Sequence, residues 1–237
     1  MTKPKCIAVG APCARMVRSQ FFVDLFQWLS ENRYFIPTPK PDAAAGRIDI
    51  ARSSLFDWAK GLRADAHVQI DTDAKPLQPM YEMMELVFED FTLGADVVIA
   101  PTAAYNLRAM TFGYKEKPHS YGPNWIRGGA FGWVAFSPRI LQGLKPIDNM
   151  TNVAGERLNL YCANNNRGED NSFCDTAHEQ GFKVCCDWRL HVGHAKESLI
   201  APILADQADE VRNRYKGAAQ FVIQDIQLDP GPKEKTA

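Results

Sequence analysis

The sequence predicts an α/β protein with a mainly parallel central sheet and helices on both faces. Short apolar runs that end at Gly or Pro alternate with longer stretches of helical periodicity in the first half of the chain. Strands that alternate with helices form parallel sheets, because each crossover helix packs back onto the sheet. With 237 residues, 46% of them hydrophobic, the chain is long enough for one sizeable core. We therefore expect a single domain over residues 1–237.

Three apolar runs in the first half predict buried strands, namely Cys6–Gly10, Ala66–Ile70 and Asp96–Pro101. Between the first two runs, Val17–Leu29 has apolar residues at helical spacing. After the second run, Met80–Phe91 repeats apolar residues at i, i+3, i+4 and i+7, which predicts an amphipathic helix with a buried stripe.

The connection between the first two strands contains more polar and proline residues. Pro37–Pro41 predicts a turn, because prolines cluster there. The segment Arg47–Arg52 then leads to a short predicted helix through Trp58 and Leu62.

The second half is less regular, and we expect the following elements in order: a long loop or hairpin at 102–127, glycines and a strand at 128–136, a helix capped by Ser137 and Pro138, a helix from 168 to 181, a strand at 182–185, a helix over Glu197–Tyr215 and a charged tail at 230–237. The adjacent Gly128 and Gly129 would allow close backbone approach to a ligand. The long loop is rich in Tyr, Pro and Lys, and loops of this length in compact domains are often functional.

The composition favours a cytoplasmic protein with reduced thiols. The formal net charge is -1 and the pI is about 6.5, so there is no overall attraction to nucleic acid or anionic lipid. No run approaches the roughly 20 apolar residues that span a bilayer, and the N-terminus lacks a signal-peptide pattern. The six cysteines include an adjacent pair and do not form a disulfide framework pattern.

The tripeptide Asp71-Thr72-Asp73 is the strongest functional signal. It follows a predicted buried strand, at the sheet edge where ligands of α/β proteins gather. In an extended chain, side chains i and i+2 point to the same side, so Asp71 and Asp73 can converge on Mg²⁺ or Mn²⁺. Such an ion often bridges to substrate phosphates.

Taken in order, several segments resemble a small, soluble nucleotide-sugar glycosyltransferase of the GT-A fold. They are the first strand with Gly10 and Pro12, Arg47–Arg52, Asp71-Thr72-Asp73 with Pro76, the Gly128-Gly129 strand, Gly168-Glu169-Asp170, and His191-Val192-Gly193-His194. The resemblance covers roughly residues 5–195. It implies a nucleotide-binding part at 5–100, an acceptor and metal-completing part at 101–195, and a C-terminal helix and tail at 196–237.

The resemblance also implies a divalent metal site and a catalytic base. Asp73 would be the principal ligand of Mn²⁺ or Mg²⁺, Asp71 a second ligand or a ribose contact, and His194 the third protein group. Asp170, beside Glu169 at the predicted helix start, would be the base of an inverting transfer. Two alternatives stay open: His191 competes with His194, and either acid could simply cap the helix.

Other polar residues would lie beside the donor. By the same resemblance, Arg47, Asp49 and Arg52 would contact the nucleotide, and Lys75 could touch a phosphate or face solvent. The implied donor is a nucleoside-diphosphate sugar, with a UDP-sugar favoured, and the acceptor is a hydroxyl group. The sequence leaves open the sugar, the acceptor (a modified nucleic acid included), the stereochemical outcome and the oligomeric state.

Three alternatives compete with this interpretation. A sugar-phosphate nucleotidyltransferase uses a related sheet, but the segment after the first strand offers only a faint echo of its glycine-rich signature. A zinc-stabilised binding protein is suggested by Cys and His residues in the second half, although no Cys-x-x-Cys pair is present; they are Cys162, Cys174, His178, Cys185, Cys186, His191 and His194. A catalytically inactive transferase fold would serve as a binding subunit.

Overall fold

A computed structural model of the protein describes residues 4–12, 19–32, 35–42, 47–103, 111–151, 157–163, 168–195 and 199–224. The helices are α1 (Ser19–Ser30), α2 (Ile48–Leu62), α3 (Met80–Thr92), α4 (Pro138–Gly143), α5 (Glu169–Glu179) and α6 (Ala208–Arg214), with a 3-10 turn at Ala205–Gln207. The strands are β1 (Lys5–Pro12), β2 (Phe35–Asp42), β3 (Ala66–Ile70), β4 (Ala74–Pro76), β5 (Val97–Ile99), β6 (Thr111–Phe112), β7 (Asn124–Trp125), β8 (Gly128–Gly129), β9 (Trp133–Phe136), β10 (Asp148–Thr151), β11 (Arg157–Leu160), β12 (Val184–Cys186), β13 (Val192–Ala195), β14 (Leu199–Ile203) and β15 (Gln220–Ile223).

The described residues form a seven-stranded central sheet in the order β2-β1-β3-β9-β5-β12-β7. The strands β2, β1, β3, β5 and β12 run in one direction, and β9 and β7 run in the other. The predicted α/β class with a mainly parallel sheet is therefore confirmed. The carboxyl end of β3, where the aspartate tripeptide begins, lies near the middle of this sheet.

Two hydrophobic clusters cover the two faces of the sheet. One contains Trp28 of α1 and Met83 of α3. The other contains Phe56 of α2, Ile140 of α4 and Phe173 of α5. Neighbouring strand residues alternate between the two clusters, as the period of a strand requires. Burial of each such side chain contributes about 1.5–3 kcal/mol. The predicted helices on both faces of the sheet are confirmed.

A second sheet in the described part has the order β15-β14-β13-β4. The short strand β4 follows the aspartate tripeptide directly and pairs antiparallel with β13, so that His194 lies opposite Ala74. This pairing brings the turn after β3 and the end of β13 together, although the two are far apart in sequence.

The predicted turn at Pro37–Pro41 is wrong, because these residues form the edge strand β2. Pro37, Pro39 and Pro41 occupy alternate positions of the strand. In an edge strand every second backbone N–H points away from the neighbouring strand, so a proline there removes no ladder hydrogen bond. The clustering of prolines therefore marks a sheet edge here.

The predicted helix over Glu197–Tyr215 is wrong in its first part. Leu199–Ile203 forms β14, which contains Pro202, and the helix begins only at Ala208. Proline in a helix interior removes a hydrogen bond and clashes with the preceding turn, whereas Pro202 lies beyond the residues that pair with β13. The predicted tail at 230–237 lies outside the described residues.

Part of the long predicted loop at 102–127 is ordered into short strands. The strand β6 pairs with β8, which contains both predicted glycines, and β7 joins the central sheet beside β12. Residues 104–110 lie outside the described residues, as do Val17 of the predicted first helix and Cys13. Among the described helices, none has both the length and the apolar character that a bilayer crossing requires.

We predict opposite effects of Gly→Ala substitution at Gly193 and Gly61. A Cβ at Gly193 would lie 2.6 Å from side-chain atoms of Leu199, so Gly193→Ala should destabilise the protein by about 1–3 kcal/mol. A Cβ at Gly61 in α2 meets nothing within 4 Å, so Gly61→Ala should stabilise by up to about 1 kcal/mol. Urea denaturation measures both. Equal effects at the two positions would contradict the close packing of β13 against β14.

Candidate active site

Asp71 and Asp73 lie in a tight turn that connects β3 to β4. The backbone N–H of Asp71 donates to the carbonyl oxygen of Gly132 at 3.0 Å, and the N–H of Ala74 donates to the carbonyl oxygen of Asp71 at 2.9 Å. The Asp71 side chain is 28% exposed and that of Asp73 is 47% exposed. The two carboxylates therefore have different environments, and each has a different partner.

The buried guanidinium group of Arg52 binds the carboxylate of Asp71. Arg52 lies on α2, is 4% exposed, and places Nη2 2.9 Å from Asp71 Oδ1. Its Nε lies 3.3 Å from Glu169 Oε1 and 3.2 Å from Asp170 Oδ1. Nη1 also donates to Gln69 Oε1 at 3.3 Å. One cation thus joins the end of β3 to the first turn of α5.

Three carboxylates around one guanidinium leave an excess of negative charge. Burial raises the pKa of Asp170 to about 7, even though the charge of Arg52 opposes that shift. Burial also raises the pKa of Asp71, again against Arg52. For Arg52 itself burial lowers the pKa, but the three carboxylates more than offset this and raise the value above its ordinary one. Arg52 therefore stays charged, while Asp170 can exchange a proton near neutral pH.

A short stretch before β9 contacts both acids. The backbone N–H of Phe131 donates to Asp170 Oδ2 at 3.0 Å, and Gly132 accepts from Asp71 as described above. A Cβ at Gly132 would lie 2.7 Å from Thr102 Oγ1, so a side chain here would require its surroundings to shift. Phe131 and Gly132, which are adjacent in the chain, therefore hold one oxygen of Asp170 and the backbone of Asp71 in place.

Asp73 and His194 form a close pair on the other side of the turn. His194 Nε2 lies 2.7 Å from Asp73 Oδ2, and Nδ1 lies 2.7 Å from the carbonyl oxygen of Ala103. A carbonyl oxygen only accepts, so Nδ1 carries a proton. A hydrogen bond from Nε2 to the carboxylate then requires a second proton, and a bound cation could take the place of that proton.

The donor chemistry of this pair fits a divalent ion in part. A carboxylate oxygen and an imidazole nitrogen are both ligands that Mn²⁺ accepts. Within the described ranges, however, no three His, Cys, Asp or Glu side chains are grouped closely enough to hold a metal ion. Asp71 is directed to Arg52 instead. Two of the three predicted metal ligands are thus together, and substrate oxygens would have to supply the remaining ligands.

The other predicted nucleotide contacts have partners of their own. Arg47, which is 54% exposed, binds the buried Asp49 at 2.6 Å. Lys75 binds Asp24 of α1 at 3.1 Å. His191 faces Gln207 at 2.9 Å. No contact between these groups and the Arg52 cluster is observed among the described residues, and their roles stay predictions.

The cysteines that suggested a zinc site are free thiols in the described structure; they are Cys162, Cys174, Cys185 and Cys186, with Cys6 also free. Burial raises the pKa of Cys162 to about 12, and it also raises that of Cys185 above its ordinary value. No three of the Cys and His side chains in the described part of the chain are grouped closely enough to hold a zinc ion, so these thiols form no described zinc site. They act as small core residues instead.

Sequence analysis missed several groups that shape this site. Gln69, Phe131 and Gly132 contact the charged residues, and Ala103 orients the imidazole of His194. A polar residue inside an otherwise apolar strand was a usable signal for Gln69. The backbone contacts of the other three carry no sequence signal, because every residue type except proline presents the same backbone groups.

Comparison with known proteins shows a fold relationship. No protein-family model and no curated protein sequence matches this chain. Among solved structures, A197 from STIV is similar over 97% of this chain and 99% of its own, with a TM-score of 0.58 and 13% identity. This likeness shows that nearly the whole chain shares one known fold.

Enzymes that act on sugar nucleotides or related compounds are among the more distant structural neighbours. A Drosophila β-1,4-galactosyltransferase, solved with manganese, UDP-Gal and xylobiose, matches 77% of this chain and 64% of its own at a TM-score of 0.41 and 11% identity. CMP:2-keto-3-deoxy-manno-octonic acid synthetase with CTP matches 77% of this chain and 88% of its own, at 0.43 and 8%.

We predict that Arg52 is far more important for stability than Arg47, the other arginine that the sequence predicts beside the nucleotide. Arg52→Met would leave Asp71, Glu169 and Asp170 without their shared cation, at a cost of about 3–5 kcal/mol. Arg47→Met removes an exposed partner from Asp49, whose carboxylate stays in the first turn of α2 where the helix dipole favours negative charge, so this variant should lose less stability than Arg52→Met. Chemical denaturation at neutral pH measures both variants. A similar small loss for each would contradict the role of Arg52 as a buried counterion.

Proposed function

We propose that this protein is a metal-dependent glycosyltransferase that moves a sugar from a nucleoside-diphosphate sugar to a hydroxyl acceptor. The main support is the placement of two chemically different groups at the carboxyl end of β3. The half-exposed Asp73 and the buried His194 form a pair of metal-binding type. Asp71 and Asp170 are held nearby by one guanidinium group. A metal ion held by Asp73 and His194 would neutralise charge on a leaving diphosphate. A carboxylate held by Arg52 would accept a proton.

Asp73 and His194 would hold Mn²⁺ or Mg²⁺ together with diphosphate oxygens of the donor. The ion supplies a Lewis acid that offsets the charge developing on the leaving group. The hydrogen bond from His194 Nδ1 to Ala103 fixes the ring so that Nε2 points at Asp73. This orientation is set by the protein before any ligand arrives, which lowers the cost of binding.

Asp170 would accept the proton of the acceptor hydroxyl group as that oxygen attacks the anomeric carbon. A general base works best when its pKa lies near the working pH, and that of Asp170 is raised to about 7. Phe131 holds one carboxylate oxygen. The other oxygen lies beside Arg52 and makes no geometrically good hydrogen bond among the described residues.

Arg52 would position the acids and not contact the nucleotide. It is 4% exposed, and its donors are directed at Asp71, Glu169, Asp170 and Gln69. Glu169 would help to orient Arg52 and would not exchange the proton itself. The exposed Arg47 at the start of α2 remains the better candidate for a nucleotide contact, and a UDP-sugar remains the favoured donor.

We predict that removal of the His194 ligand weakens metal-dependent nucleotide binding. His194→Asn keeps an N–H donor for Ala103 but loses the Nε2 atom, and Asp73→Asn removes the carboxylate charge. Each should weaken Mn²⁺-dependent UDP binding at least about tenfold in calorimetry. His178→Asn, on the exposed end of α5, is the matched control and should bind normally. Wild-type affinity in both site variants would refute the metal assignment.

We predict that Asp170→Asn lowers turnover by at least about a hundredfold, since the amide cannot accept the proton. Binding of UDP with Mn²⁺ should be retained, because Asp170 makes no contact with Asp73 or His194 in the described structure. Wild-type turnover should rise as the pH increases through about 7, where the base loses its proton. Donor hydrolysis and transfer to a panel of sugar acceptors provide the assay. Unchanged turnover in the variant would exclude Asp170 as the base.

A further inference from the structure

The buried stripe of α3 contains an acidic residue. Asp90 follows Met83 and Val87 at helical spacing, where an apolar residue is the rule, and its side chain is 0% exposed. Asp187, which follows β12, is also 0% exposed. Arg189 Nη2 lies 2.8 Å from Asp90 Oδ1 and 2.9 Å from Asp187 Oδ2. Because both oxygens contact the same nitrogen atom, the two carboxyl groups are close neighbours.

The charges of this group do not balance if both buried carboxyl groups are ionised. In the described part of the chain, Arg189 is the one cation that contacts either of them. Arg189 also binds Glu89, which is 52% exposed and is solvated by water. A buried charge without a counterion is strongly unfavourable, and a carboxyl group avoids it by keeping its proton. One neutral carboxyl group therefore removes the excess buried charge.

The hydrogen bonds distinguish the two carboxyl groups. Asp187 Oδ1 accepts from the backbone N–H of Arg189 at 2.9 Å and from its Nε at 3.0 Å, and Asp187 Oδ2 accepts from the same Nε at 3.0 Å. Asp90 accepts on Oδ1, whereas its buried Oδ2 has no hydrogen-bond donor within the described ranges. Donors stabilise the ionised form of a carboxyl group. Asp187 is therefore the carboxylate, and Asp90 is the carboxylic acid.

A proton on Asp90 Oδ2 gives that oxygen a partner, because the carboxylate of Asp187 can accept it. Burial, the charge of Asp187 and a hydrogen bond between the two carboxyl groups raise the pKa of Asp90 to about 9, against the charge of Arg189. The charge of Glu89 adds to this rise.

Two thiols of β12 lie near the same acids. Burial raises the pKa of Cys185 and that of Cys186 above the ordinary value, and the charges of Asp90 and Asp187 add to both shifts. Both thiols are therefore neutral while Asp90 loses its proton, and they supply no compensating charge.

We propose that Asp90 and Asp187 share one proton and, with Arg189, form a proton-dependent lock between α3 and the connection from β12 to β13. Loss of the proton would place two adjacent buried negative charges on one guanidinium group. Gln78, which follows β4, donates to the carbonyl oxygen of Arg189 at 2.9 Å. The lock therefore also fixes the segment that leads into β13, the strand that contains His194. It does not depend on glycosyl transfer, because stability alone tests it.

The shared proton makes stability depend on pH in one direction. In the unfolded chain an Asp has a pKa of about 3.9. In the folded protein, Asp90 keeps its proton until the pH reaches about 9. Between these values the folded state binds one more proton at this position than the unfolded state, so stability falls as the pH rises. Each pH unit should raise the unfolding constant about tenfold through this group, and the effect should level off above about pH 9.

Urea denaturation of the wild type and of Asp90→Asn tests the lock. The amide of the variant is neutral at every pH, keeps an acceptor for Arg189 and offers an N–H to Asp187, so the variant should fold. The unfolding constant of the wild type, divided by that of the variant, should rise about a hundredfold from about pH 6 to about pH 8. A ratio that is constant or falls over this range would overturn the proposal.

Asp187→Asn is the contrasting variant. Its amide would direct N–H groups at the N–H groups of Arg189, so its urea midpoint at about pH 7 should fall much further than that of Asp90→Asn. Equal losses would contradict the assignment of the proton to Asp90. Carbon-13 NMR of the wild type needs no variant. The side-chain carboxyl carbon of Asp90 should keep the chemical shift of the protonated acid at about pH 8. The shift of an ionised carboxylate at that pH would overturn the proposal, whatever the behaviour of the variants.

Discussion

The guanidinium group of Arg52 holds three carboxylates from two separate elements of the fold. Without it, Asp71 at the end of β3 and the two acids of α5 would repel one another across a buried space. Placing one cation there lets the chain bring these acids together and still fold. Burial raises the pKa of Asp170 to about 7 against the charge of Arg52, and repulsion from Glu169 and Asp71 adds to this rise. The same buried charge cluster therefore holds β3 and α5 together and gives Asp170 the pKa that the proposed proton transfer requires.

The second constraint is the pairing of β4 with β13. Asp73 immediately precedes β4, and His194 lies within β13, so the ladder decides that the two side chains meet. The close contact between Gly193 and Leu199 keeps β13 against β14. The small sheet therefore builds the candidate metal pair, while the end of β3 and the first turn of α5 supply the acids bound by Arg52.

The parts of the fold that could be predicted from sequence are those set by local pattern. The buried strand before Asp71, the apolar stripe of α3 and the start of α5 at Glu169 all follow from periodicity or from the residues at element ends. The proline-rich strand β2 and the strand β14 could not be predicted in this way. In both cases, the pairing around each proline, which comes from other segments of the chain, decided whether a proline was tolerated.

The candidate site was predictable in its residue types but not in its contacts. Asp73 and His194 are separated by 121 positions in the sequence, and no local pattern specifies that β4 pairs with β13. Arg52 was expected beside the nucleotide, yet it is buried behind the acids. A charged residue on a helix gives no sequence signal for which of its neighbours it will neutralise, because those neighbours come from distant segments.

A crystal structure of the protein with Mn²⁺ and UDP would test the account most directly. The account predicts an anomalous manganese peak within bonding distance of Asp73 and His194 and against the diphosphate. It also predicts that Arg52 still contacts Asp71 and Asp170. A manganese ion bound elsewhere, or Arg52 turned out of the acid cluster to hold the diphosphate, would contradict it.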